Sequence, residues 1–203
     1  MNVDTRQLKA LVLNANYMPV DVFPLMAIPC IPAALTRCYQ SKPTCVVHYD
    51  WPVPVRSTRS TWEYNYPSVI VRLNTNFYHR QGVQLNHETL FYRDKGVCAY
   101  CNEHTPIYQN RQRYGTKDHV WPISRGGAND WDNVVWSCAK CNQAKDSAEP
   151  KGKWRPNWKG WTPTYWQLLK NRKEFPLRVQ DKRWLEFLPE WQGEVIETME
   201  LNV

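Results

Sequence analysis

Hydrophobic positions change rhythm several times along the 203 residues. In the first 75 they come as short runs and alternations rich in Val and Ile, the pattern of β-strands, at residues 10–13, 44–55 and 68–73. A polar turn around residues 14–17 follows the first run. Residues 25–40 predict a short helix after several prolines, with Ala33, Ala34, Leu35 and Tyr39 on its apolar side. Helical spacing returns over 85–94 at Leu85, Leu90 and Phe91. Residues 116–123 then read as a strand, 124–130 with Gly126-Gly127 as a turn, and 131–137 as a returning strand. The segment from Cys141, NQAKDSAE, reads as a helix. The class expected is α+β, in three parts: a small β-rich unit over 1–90, a strand–strand–helix core over 91–149, and an extension over 150–203.

Cysteine placement adds a constraint on that core. Of seven cysteines, Cys98, Cys101, Cys138 and Cys141 form two C-x-x-C pairs, whereas Cys30, Cys38 and Cys45 lack such spacing and read as ordinary thiols. A C-x-x-C turn lets two thiolates reach one metal, and a second pair closes a tetrahedral shell, so a structural Zn²⁺ is expected. The gap between the pairs is 36 residues, long enough to hold the two predicted strands. His104, three residues after Cys101, reads as a surface residue because four thiolates already fill the shell.

Charge is segregated. The net +7 with pI near 9.0 conceals +3 over residues 1–90, +1 over 91–149, +8 over 150–185 and −5 over 186–203. In the +8 segment the cations alternate with Trp154, Trp158, Trp161, Tyr165 and Trp166. Cations among flat aromatics can hold phosphates and stack on bases, but the same aromatics can serve as packing residues. At 42% hydrophobic the composition excludes a disordered chain. An odd cysteine count argues against a secreted disulfide scaffold. The opening MNVDTRQLKA does not read as a signal peptide. The longest apolar stretch, 22–35, is broken by Pro24, Pro29 and Pro32 and is too short for a membrane span. An intracellular, cytoplasmic protein without a membrane partner is expected.

Between the cysteine pairs stand Asp118-His119, then Asn133, then Asn142 directly after Cys141. In this order, the sequence resembles the HNH endonucleases with a ββα-metal fold, in the branch with two flanking C-x-x-C pairs. The third letter of the family name is Asn142 here in place of His. The resemblance is strongest over 91–149 and extends more weakly to LVLNANYMPVDV, YPSVIVRL and DKRWLEFL. It implies hydrolysis of phosphodiester bonds in double-stranded DNA. His119 suits a general base that activates water. Asp118 and Asn142 offer hard oxygen ligands for a catalytic Mg²⁺ (or Mn²⁺), leaving room for waters and phosphate. Asn133 would hold the loop or the His119 ring in orientation. Arg125, Lys145, Lys151, Lys153, Arg155 and Lys159 are candidate DNA contacts. On an ideal strand Asp118 and His119 point to opposite faces, so serving one site requires a strand end or an irregularity. The competing reading is a zinc-ribbon DNA-binding protein without cleavage.

Overall fold

A computed structural model describes residues 7–23, 25, 27–30, 43–56, 59–73, 82–109 and 112–198. The chain divides into two compact units, Met1–Tyr78 with Lys173–Val203, and His79–Arg172. The fold is mixed, with small sheets and few helices. Among the described residues, no helix is long and apolar enough to cross a membrane.

The first unit is built on a four-stranded sheet ordered β2-β1-β6-β3. Its strands are β1 (Lys9–Asn14), β2 (Ala27–Pro29), β3 (Pro43–His48) and β6 (Pro67–Arg72). A separate hairpin pairs β4 (Val53–Arg56) with β5 (Thr61–Tyr64). Residues 10–13 in β1 and 69–71 in β6 are buried at every position, so both faces of these central strands are covered. That explains a continuous apolar run in place of an alternation. Leu8, Ala10, Val12, Val20, Cys30, Tyr49, Tyr66 and Ile70 make one core cluster. Asn14 closes the polar turn after β1, its Oδ1 accepting from the amides of Asn16 (2.9 Å) and Met18 (3.0 Å). Cys30 is a buried free thiol whose Sγ donates to the Pro67 carbonyl at 3.1 Å. Cys45 departs from the thiol expectation and is disulfide-bonded. Residues 31–40 of the expected helix, with Cys38, lie outside the described residues.

The end of the chain joins this unit. β11 (Leu177–Val179) pairs in parallel with β12 (Val195–Glu197). Asp181 caps the 3-10 helix Lys182–Phe187, accepts from Ser68 Oγ at 2.5 Å, and pairs with Arg183 at 2.6 Å. The Trp184 indole donates to the same Ser68 hydroxyl at 2.9 Å. These bonds tie the residues after 173 to β6.

The second unit begins at α1 (His87–Arg93), where Asn86 and Thr89 form a capping box. At its end, Arg93 and Asp94 make a buried pair, Nε to Oδ1 at 2.8 Å. Arg93 also donates to the carbonyls of Trp131 (2.7 Å) and Val134 (2.7 Å), and Asp94 accepts from the Trp136 amide at 2.8 Å. One ion pair thereby satisfies backbone groups of the returning strand and anchors it to α1. A two-residue ladder, β7 (Tyr108–Gln109) with β8 (Gln112–Arg113), precedes β9 (Gly115–His119). β9 pairs antiparallel with β10 (Val134–Cys138), His119 opposite Val134 and Asp118 opposite Val135. α2 (Ala139–Lys145) follows at once and ends at Asp146, whose φ of 48° leaves the helical region. The strand–strand–helix order is as expected, with β9 shorter than its apolar pattern and α2 beginning before Cys141.

The extension from 150 divides at 172. Its first part belongs to the second unit, through α3 (Tyr165–Arg172). The Asn171 amide donates to the Tyr92 carbonyl at 2.9 Å, and Arg172 lies over the Tyr92 ring at 4.9 Å.

Candidate metal centre and active site

Cys98, Cys101, Cys138 and Cys141 converge until their sulfurs all lie within 4.8 Å of one another. A tetrahedral zinc with bonds of about 2.3 Å would space its sulfurs by about 3.8 Å. The residues fit such an ion with little movement. The first pair sits in a tight turn, where Asn102 (φ 62°) returns its amide to the Cys98 carbonyl at 3.0 Å. The second pair spans the junction of β10 and α2, with Cys138 Sγ accepting from the Cys141 amide at 3.3 Å. Burial opposes ionisation of Cys98, but amides of Cys101, Cys138 and Tyr100 offset it and hold the thiol down to about 7. Burial and the neighbouring sulfurs push Cys101 and Cys141 up. Four sulfurs at this separation could hold one metal ion between them.

The Asp118-His119 pair ends β9. Asp118 faces inward at 4% exposure, whereas His119 is half-buried, the alternation of an ordinary strand. The Asp118 carboxylate accepts from the Tyr100 hydroxyl at Oδ2. Lys145 Nζ lies 3.2 Å from Oδ1 and 3.1 Å from Oδ2, and also donates to the His119 carbonyl at 2.7 Å. Burial lifts the Asp118 carboxyl above its ordinary range, and the Tyr100 and Lys145 bonds offset this only in part. Burial, followed by the bond to Asp118, raises the Tyr100 phenol and keeps its proton in place. Lys145 does not offer its charge to solvent: its side chain is 1% exposed and pairs with Asp118 inside the fold.

His119 Nε2 lies 3.0 Å from Asn129 Oδ1, an oxygen that can only accept. Asn133 closes the loop between the strands. Its Nδ2 donates to the carbonyls of Ala128 (2.7 Å) and Trp121 (3.0 Å), and its Oδ1 accepts from the Trp121 amide at 2.8 Å. Gly127 lies so near that a Cβ there would stand 1.9 Å from the Trp121 oxygen. Of the two alternatives for Asn133, its hydrogen bonds go to the loop. Asn142 packs against β9, Nδ2 donating to Thr116 Oγ1 (2.9 Å) and the Lys117 carbonyl (3.2 Å). Those bonds use the donor end of the amide and leave Oδ1 for a ligand.

The remaining cations are exposed. Arg125 pairs with Glu149 at 2.9 Å and Lys151 with the same carboxylate at 2.6 Å. Lys153 Nζ lies 4.8 Å over the Trp154 ring. Arg155 and Lys159 face solvent. The aromatics among them divide. Trp154 meets Tyr100 edge-on at 5.9 Å, while Trp166 is 64% exposed. The intervening segment is tied to the first knuckle, with the Asn157 amide donating to the Ala99 carbonyl at 2.8 Å.

Sequence reasoning missed Tyr100 and Asn129. Tyr100 carried a usable signal, since it lies between Cys98 and Cys101 of the first C-x-x-C pair. Asn129 had none, because its role depends on how the loop folds back toward His119.

Two strands and a helix, closed at the base by four cysteines that could hold a metal, define a ββα unit. Residues 98–148 match the HNH endonuclease family model. Over 52 residues the chain is 38% identical to the type IV methyl-directed restriction enzyme EcoKMcrA of Escherichia coli (strain K12). That match covers 25% of this chain and 19% of the relative. No solved structure matches significantly.

Proposed function

We propose that the chain is a divalent-metal-dependent endonuclease that hydrolyses phosphodiester bonds in double-stranded DNA. The observation that carries this reading is the approach of Asn142 on α2 to β9, beside the Asp118-His119 pair, at the end of a four-cysteine staple. Asp118 and Asn142 Oδ1 would hold Mg²⁺ or Mn²⁺, which supplies charge stabilisation at the scissile phosphate. A carboxylate has about four acceptor sites, and Tyr100 and Lys145 leave room for a single metal bond. With Nε2–H donating a hydrogen bond to Asn129 Oδ1, His119 keeps Nδ1 to accept a proton from water. Asn133 fixes the loop that carries Asn129. Zn²⁺ at the four cysteines would hold the first knuckle and the start of α2. Arg125, Lys151, Lys153, Arg155 and Lys159 would meet the DNA backbone.

One observation favours the second reading, DNA binding through a zinc ribbon without cleavage: both Asp118 oxygens already lie beside Lys145. Supercoiled plasmid with Mg²⁺ or Mn²⁺ separates the two. The wild type should produce nicked or linear product. His119→Ala should slow it by at least about 100-fold, the usual contribution of a general base. His119 makes one side-chain hydrogen bond among the described contacts, so the variant should keep its fold by circular dichroism. Plasmid left supercoiled by both proteins would overturn the nuclease reading.

A further inference from the structure

Among the described residues, Tyr100 is the side chain that runs from the four-cysteine turn to the candidate catalytic carboxylate. It stands between Cys98 and Cys101, so the turn that gathers the sulfurs also fixes its backbone. Its hydroxyl donates to Asp118 Oδ2, and its ring is held edge-on by Trp154. Lys145 approaches the same carboxylate from the end of α2, one turn after Asn142. The carboxylate is therefore gripped from two sides, by the first knuckle and by the helix that the second knuckle starts. Asn142 belongs to the same helix, so both halves of the cysteine cluster bear on the same pair of oxygen ligands.

We infer that Tyr100 is a positioning residue, which sets the rotamer of the Asp118 carboxylate and so couples the structural metal site to the catalytic one. Partners that orient a metal ligand from behind commonly carry tenfold or more of the metal affinity. Tyr100 supplies such a partner with a single donor whose geometry comes from the zinc turn. The inference rests on the nuclease reading for the identity of the ligands, but its test reads metal binding directly.

Tyr100→Phe keeps the ring and its contact with Trp154 and removes only the hydroxyl. Free Mn²⁺ is followed by electron paramagnetic resonance while wild type and variant are titrated, both with zinc bound. Zinc content comes from thiol displacement with a colorimetric chelator, and plasmid cleavage is measured in parallel. The expected result is an Mn²⁺ dissociation constant raised roughly tenfold, with zinc content unchanged and the variant still folded at the assay temperature, its melting temperature lowered only as one lost buried hydrogen bond requires. Cleavage should recover at high Mn²⁺, since only metal occupancy is impaired. An affinity within twofold of wild type would overturn the inference. So would a loss of zinc that tracks the loss of Mn²⁺, because the hydroxyl would then serve the knuckle alone. A wild type that binds Mn²⁺ and cuts nothing would sink the nuclease reading and leave the Tyr100 comparison standing. A wild type that binds no Mn²⁺ would overturn both.

Discussion

At the scale of single residues, the pairing of Asp118 with Lys145 sets the energetics of the site. Both side chains are almost fully enclosed, at 5% and 1% exposure. Two charges removed from water regain that cost only through each other and through further hydrogen bonds. Tyr100 and the His119 carbonyl provide those bonds. Removing either partner strands the other. Lys145→Met and Asp118→Asn should each destabilise the fold by about 3–5 kcal/mol, and the double variant by clearly less than the sum. Urea unfolding of the four proteins checks this, and additive losses would show that the charges do not depend on each other. The sequence made Asp118 legible as an oxygen ligand but left Lys145 ambiguous. A lysine one turn beyond Asn142 can face phosphate or the strand beneath it, and only the packing of α2 on β9 decides between them.

At the scale of elements, the four cysteines hold together pieces too short to persist alone. α2 has seven residues and β9 and β10 five each. Isolated helices of that length do not form in water. Structural zinc in small motifs supplies about 10–16 kcal/mol, comparable to the whole stability of an ordinary domain. Stripping zinc with a thiol-blocking mercurial and a chelator should therefore unfold the ββα unit and abolish cleavage, although no catalytic residue is altered. Aromatic circular dichroism should register it, because Trp136 is fully buried in β10. An unchanged spectrum after one equivalent of zinc is released would reject this role. The element order was legible because the cysteine spacing and apolar rhythm agree. The boundaries were not: β9 stops at His119 because Asn133 pulls the next residues into a loop, a tertiary effect that periodicity does not carry. Nor was the burial of Arg93, since a charged helix end resembles a solvated one until the backbone groups it serves are in place.

At the scale of the whole molecule, the +8 segment does not form a domain of its own. Its first part packs on the second unit and the rest on the first, a division set by Asn157, Asn171 and Asp181, none conspicuous in sequence. Lys151, Lys153, Arg155, Lys159 and Lys170 stay outward, whereas Arg172 is buried against Tyr92 and Trp154 turns toward Tyr100. The two readings of the Trp-rich segment thus apply to different residues, packing for Trp154 and solvent for Trp166. Lys151, Lys153, Arg155 and Lys159 flank Asn157, which holds this stretch against the knuckle that carries Tyr100. These four cations are the candidate contacts for a duplex that reaches Asp118 and His119. Each phosphate contact contributes about 0.9 to the slope of log affinity against log salt. Replacing all four by Gln should lower the slope by roughly 3, somewhat less than the full count because Lys151 already neutralises Glu149. Binding to a catalytically silent His119→Ala background, measured by fluorescence anisotropy from low to moderate salt, reads the slope without cleavage. If affinity falls and the slope stays, the four residues act through packing. If neither moves, the duplex lies on another face and Arg125 becomes the next cation to test.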